Sequence, residues 1–407
     1  MGRVRGFRNF WQAPYRPLFL AAFLCPLLTV AWWPLGVWFG LPGPLFEPVI
    51  LWHVHELFFG FAAAAIGGYL LTALPGWTGQ SPVRGGPLKA LLGFWISARF
   101  ATALASALPP VVPIVLNAGY FLLLAGIIGQ QLLSAKAYRK LGFLFIIAAL
   151  GSGEVLFLGT ALAGRSWIGL AIIPVVLIGM VMLMVSIGTR AIPAFTDNWL
   201  ARISRENRIK QSSGALTQVL LATVIIARVM GWHDIASVAV ICAALTLLWT
   251  MRGWQSLSAL GNPLLAALHL AFLWLPIGLL AMGFAALAPA IYPMGDALHA
   301  ITIGGMSGLI MAIAGRAAAH TKTGDMQANL GFMAGVLLVW IATVVRLIAP
   351  ILPHHPVEIV AAALWCTGWV AFTIGFLPAV TGPLRRPVLS GQRYGAPENN
   401  ANMERAD

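Results

Sequence analysis

The sequence predicts an all-α integral membrane protein of about twelve spanning helices with both termini in the cytoplasm, and three observations carry that prediction. Apolar residues fill 59% of its 407 positions and charged ones only 9%, and the mean hydropathy is +0.86. A water-soluble domain carries about 25% charged residues. Apolar runs recur at lengths near the roughly 20 residues that cross a hydrocarbon layer as helix. Lys and Arg gather in alternate connections, as they do on the cytoplasmic side of a membrane.

Residues 1–17, MGRVRGFRNFWQAPYRP, are basic and lead into an apolar run with no small-residue cleavage site, so they read as a retained cytoplasmic leader. Residues 18–380 form the bundle, with spans expected at 18–39, 50–74, 88–108, 111–133, 141–163, 166–188, 214–231, 234–251, 263–288, 297–315, 329–349 and 357–380. Pro109, Pro110 and Pro113 make the turn between the third and fourth very tight. The segment 190–213 is the longest polar connection and reads as a solvated cytoplasmic loop. Residues 381–407 are polar and Asn-rich, the composition of a disordered tail.

One set of loops holds Arg3, Arg5, Arg8, Arg16, Arg84, Lys89, Lys136, Arg139, Lys140, Arg252, Arg316 and Lys322, while the opposite set holds only Arg165. The net charge of +13 is thus topology rather than a nucleic-acid footprint, since it is spread over many short loops. It also places His53, His55, His233, His299, His354 and His355 at the outer face, with His269 and His320 toward the cytoplasm. Cys25, Cys242 and Cys366 stand far apart in apolar runs, which excludes a disulfide framework or a zinc ribbon.

An internal repeat of three blocks of four helices would explain several correspondences. Pro75 and Thr78 in LTALPGWTG have the spacing of Pro193 and Thr196 in TRAIPAFTDN. The helices after these turns, and the eleventh, each carry one arginine behind an apolar run: Arg99, Arg228 and Arg346. Chance matches arise readily in apolar helices, so the repeat stands as an expectation.

Ionisable side chains inside a span are costly and mark function or pairing. His53 and Glu56, three apart, share one helical face, whereas His55 points to nearly the opposite side. Below His53 the face continues through Gly60, Ala64 and Gly67, small enough to admit a neighbouring helix or a flat cofactor. The tenth span opens with Asp296 and His299, again a carboxylate and a histidine three apart. Histidines facing each other from two helices can hold a haem iron, Glu56 and Asp296 can orient their rings, and Arg228 and Arg346 can meet propionates. The same histidines also suit hydrogen-bonded packing, and the arginines suit snorkelling to headgroups. His269, in an apolar segment, is open to ligation, proton transfer or packing, and Glu154 is either protonated, paired with an arginine such as Arg99, or part of a polar path. No P-loop, nucleophile elbow or HExxH motif supports a soluble-enzyme template.

The blocks YRPLFL, WHVHELFFG, LTALPGWTG, TRAIPAFTDN, LHLAFLWLPIG, HAITIGGM and GRAAAHT, from Tyr15 to Thr321, resemble in kind and order the signature blocks of the NnrS family. The resemblance implies a twelve-helix bacterial inner-membrane protein containing haem and copper, tied to nitric oxide and nitrosative stress in denitrifiers, with lipid as its surroundings. The matching histidines are His53, His55, His269, His299 and His320, and the resemblance makes them the candidate metal ligands. This chain departs from the family pattern at Gly76, Ala319 and Lys322, all in cytoplasmic turns. A looser likeness is to the catalytic subunit of haem-copper oxidases and nitric oxide reductases, with haem histidines on helices 2 and 10, but no histidine lies between Trp167 and Thr189, where that superfamily places a copper ligand. The resemblance therefore implies NO binding or help in its removal. A membrane oxidoreductase acting on NO, or a transporter using the intramembrane His, Glu and Arg residues, is the alternative.

Overall fold

The computed structural model describes residues 9–203, 209, 214–319 and 326–381; His320 and the tail after 381 lie outside them. The described chain is helical and contains no strand. Its helices are α1 (Tyr15–Gly36), α2 (Val49–Thr78), α3 (Gly86–Ala103), α4 (Val111–Ser134), α5 (Gly142–Leu162), α6 (Ser166–Arg202), α7 (Ala215–Val229), α8 (His233–Met251), α9 (Pro263–Leu287), α10 (Met294–Arg316), α11 (Leu330–Ile348) and α12 (Val357–Val380). Each falls on a span expected from the sequence. Ten of these regions are long and apolar enough to cross a membrane, which makes the chain a multi-pass membrane protein. The other two fall short for different reasons: α3 carries Lys89 and Arg99, and α7 is only 15 residues long.

Successive helices pack side by side, and the ring closes where α12 meets α1. There Trp365 Nε1 donates to the Pro26 carbonyl at 3.2 Å, and Phe23 stacks among Trp369, Phe372 and Phe376. The α11–α12 crossing is close enough that a Cβ on Gly335 would sit 2.9 Å from the Gly368 carbonyl. The apolar windows of α2, α9 and α10 are 72%, 67% and 67% buried, against 33% in α4, α5 and α11, so the helices that carry His53, His269 and His299 form the interior.

Two expected helix ends are corrected. The prolines of LTALPGWTG and TRAIPAFTDN do not stop their helices: α2 runs past Pro75 to Thr78 and α6 past Pro193 to Arg202. In both, the threonine three residues after the proline returns its hydroxyl to a carbonyl four residues back, Thr78 to Leu74 and Thr196 to Ile192, each at 2.9 Å. These bonds lie beside the gap rather than in it, because the carbonyls that Pro75 and Pro193 leave without an N–H partner are those of Leu71 and Thr189, and each helix nonetheless continues through its proline. Much of the supposed polar loop from 190 is consequently helix. At 37 residues, α6 is roughly 55 Å long and extends well beyond a bilayer core.

Candidate functional site

The ionisable residues of the interior separate into two sites. The first is built on a widened turn. Directly after His55, α2 changes to π-helical hydrogen bonding over Glu56–Phe61, a local irregularity that frees carbonyls and re-aims side chains. The Gly60 carbonyl accepts a bond from Trp95 Nε1 at 2.9 Å. A side chain at Gly60 would collide with the Arg99 guanidinium and lie 2.9 Å from Cys25 Sγ, so the glycine is the seat of Arg99. Gly67 likewise seats the Tyr120 hydroxyl. The small residues of this face thus admit neighbouring side chains.

Arg99 stands 3.2 Å from both oxygens of Glu56, donates to Asn117 Oδ1, and lies 3.9 Å from Glu154. His55, fully buried between Phe59 and Phe157, has Nδ1 3.2 Å from Glu56 Oε1 and Nε2 3.2 Å from Glu154 Oε1. The second contact is close without the alignment of a hydrogen bond. Asn117 Nδ2 continues the network to Thr102 Oγ1 at 3.0 Å and the Pro113 carbonyl at 2.8 Å. Two carboxylates, one guanidinium and one imidazole therefore share an interior where unpaired charge would be costly.

The second site joins α2 and α10. The His53 ring packs edge-on against Trp33 at 5.0 Å. His53 and His299 are within electrostatic reach of one another, and Arg346 is in range of both. Each ring keeps a buried Nδ1 without an aligned hydrogen bond, close to the backbone of Trp33 at His53 and of Gly295 and Asp296 at His299. α10, like α2, turns π-helical immediately after its histidine, over Ala300–Ser307. Arg346 pairs with Asp296. Neither Glu56 nor Asp296 orients the ring of its expected histidine, because a charged guanidinium competes better for a carboxylate than a neutral imidazole does.

The remaining candidates separate. His269 Nε2 is 2.9 Å from Thr196 Oγ1 and Nδ1 is 2.9 Å from Ser256 Oγ, so both nitrogens are engaged and the ring ties α6 to the start of α9. Arg228 lines a small cavity with Pro174, Ser237 and Met294 and forms no ion pair among the described residues. His233, His354 and His355 are exposed in turns or at a helix start.

A family model described as NnrS protein matches residues 9–383, which include all twelve helices and both polar sites. The chain belongs to the NnrS family. No curated protein matches the sequence. Asn117 and Cys25 are parts of the NnrS chain's first site that the sequence reading did not single out; an amide alone inside the run VVPIVLNAGYFLLLAG is the signal that pointed to Asn117.

Whether these residues suit a haem follows from their donors. A bare metal ion generally takes three or more protein ligands. Among the described residues no group of three His, Cys, Asp or Glu side chains converges in that way, because the His55 ring stands between its two carboxylates. A haem brings its own equatorial ligands and asks the protein for one or two axial groups. His53 and His299, within electrostatic reach of one another on two interior helices that line a common cavity, fit that request.

Proposed function

We propose that this protein binds haem through His53 and His299 in a bacterial inner membrane and acts in the response to nitric oxide, binding NO or helping to remove it. The observation that carries this reading is the pair of buried imidazoles on α2 and α10 within electrostatic reach of one another, each with an Nδ1 that lacks an aligned hydrogen bond. When bound, haem supplies an iron that can take NO. Arg346, shared with Asp296, is the cation for a propionate, with Arg228 as the second candidate. His55 also has an unbonded Nε2, but that nitrogen faces Glu154 Oε1 at 3.2 Å and its Nδ1 faces Glu56, while His269 is engaged by Thr196 and Ser256. No further set of described ligands converges on one point, so copper is assigned no site. The charge asymmetry of the loops supports cytoplasmic termini and a periplasmic position for the two histidines. The recurrence of an acid on α2 or α10 paired with an arginine on the next helix supports the three-block repeat.

The test is a reduced-minus-oxidised absorption spectrum of the purified protein, with and without NO, beside His53→Ala, His299→Ala and His55→Ala. A haem band that shifts with NO, collapses in the first two variants and survives in the third is the expected result. Folded wild-type protein without haem after growth in ample haem would sink the reading.

The contact between His55 Nε2 and Glu154 Oε1 favours a second reading, an oxidoreductase that consumes NO with a proton held between those two atoms. Glu154→Gln would then abolish turnover and leave the cofactor spectrum intact. Unchanged turnover in that variant excludes this use of the pair.

A further inference from the structure

We propose that the cavity between α1, α2 and α3 binds a lipid-soluble quinone, its ring held at Trp52, Glu56 and Arg99 and its tail leaving toward the bilayer beside Leu28 and Phe100. The proposal is independent of the haem reading and uses a different face of α2. The cavity measures about 640 Å³, inside the roughly 300–1,000 Å³ typical of small-molecule sites. Its walls are largely apolar, and Leu28 and Phe100, 62% and 69% exposed on the apolar outer surface of the bundle, mark where it opens. Entry is therefore from the side, out of the lipid.

Two of the residues that line this cavity carry donors without partners. Trp52 is 4% exposed and its Nε1 has no partner. The neighbouring indoles differ: Trp32 Nε1 donates to the Pro42 carbonyl at 2.7 Å and Trp95 Nε1 to the Gly60 carbonyl at 2.9 Å. Arg99 Nε is likewise buried and unbonded, although the terminal nitrogens of the same guanidinium hold Glu56 and Asn117. Both atoms lie beneath the wall as the side chains stand; turned toward the cavity that the two residues line, they would be satisfied by an occupant with acceptor oxygens.

Charge selects among such occupants. Arg99 is already matched by Glu56 at 3.2 Å, with Glu154 a further carboxylate 3.9 Å away, so a phosphate headgroup or a fatty-acid carboxylate would enter a region that has no spare positive charge. A plain acyl chain offers no acceptor at all. A neutral ring with two carbonyl oxygens and a long apolar tail meets both donors and fills the rest of the space. In its reduced form, the ring hydroxyl would find an acceptor in Glu56.

Binding of a radiolabelled decyl-substituted benzoquinone to the full-length protein in phospholipid nanodiscs tests the proposal. Wild type should bind it saturably. Trp52→Phe, which keeps the ring packing and removes one donor, should weaken binding about three- to tenfold. Leu28→Trp, which narrows the opening without touching the polar groups, should block it. Thermal unfolding establishes that each variant is folded, and either folded variant suffices. Absence of saturable binding to wild type overturns the proposal, as does binding unchanged in the folded variants. Equal displacement by a fatty acid of matching length also overturns it and assigns the cavity to acyl chains. Haem content, read separately by absorption, leaves this result unaffected.

Discussion

At two places in the bundle an acid near the start of an even-numbered helix meets an arginine on the next helix, and the two places are completed differently. Around Glu56 and Arg99 the side chains are 4% and 14% exposed, and His55, Asn117 and Glu154 crowd in to bring the charges of opposite sign within 3.9 Å. Around Asp296 and Arg346 the exposures are 18% and 20%, and the adjoining histidines, His53 and His299, keep a buried Nδ1 without an aligned hydrogen bond. The first arrangement is a store of buried charge whose members offset one another's charge, although His55 Nε2, Arg99 Nε and Glu154 Oε2 lack aligned hydrogen bonds. In the second, the imidazoles remain available to a group that the protein itself does not supply.

Removal of the two arginines in parallel is the strongest way to break this comparison. Arg99→Leu leaves Glu56 and Glu154 buried with only His55 to offset them, and removing one partner from a buried pair costs about 3–5 kcal/mol. The expected result is a large drop in the thermal midpoint and in folded yield in detergent, partly recovered by Glu56→Gln in the same chain. Arg346→Leu breaks a pair in contact with its surroundings, for which about 0–1 kcal/mol is expected. Equal losses from the two substitutions would show that the sites are not energetically distinct.

Much of this arrangement was legible in the sequence, and what was not has a physical cause. Runs of about 20 apolar residues located the ten helices whose length and composition suit a bilayer, and the same ruler found α3 and α7, which fall short of it. The opposite directions of His53 and His55 followed from helical periodicity, and they now belong to different sites. Proline misled at α2 and α6, since Pro75 and Pro193 each remove one backbone donor and the helices run on past them inside the bundle. The partner of a carboxylate was also beyond local reading. Glu56 is three residues from His53, but the guanidinium it holds arrives from Arg99, 43 positions away in sequence. Spacing identifies residues on one face; it does not reveal which charge a neighbouring helix brings.

His269 sharpens the comparison as a histidine completed on both sides. Thr196→Val would remove the partner of Nε2 and leave a buried nitrogen unsatisfied, at a cost of about 1–3 kcal/mol. The midpoint of unfolding should fall while the haem spectrum remains as in wild type. Loss of the spectrum in that variant, with the protein still folded, would move His269 into the ligand set and remove the contrast with His53 and His299.

The smallest effect concerns Tyr292, in the connection between α9 and α10, whose hydroxyl donates to the Leu347 carbonyl at 2.8 Å. Burial raises its pKa above the ordinary 10.0, with the nearby Asp296 adding to the rise and Arg346 opposing it. The folded state therefore holds the phenolic proton more tightly than the unfolded chain does. Its contribution to stability is fully present below about pH 10 and is lost as pH rises from there through the higher folded value. Tyr292→Phe should lower the midpoint slightly at neutral pH, by the loss of one hydrogen bond, and should flatten the decline above pH 10. Thermal unfolding measured from pH 8 to 11 on both proteins checks this, and parallel curves would mean that the Asp296 end of the bundle does not govern the tyrosine. In Arg346→Leu, which removes the opposing cation and so raises the folded value further, the alkaline decline should still begin near pH 10 but extend to higher pH, so the same measurement reports whether Asp296 and Arg346 act on their surroundings as a pair.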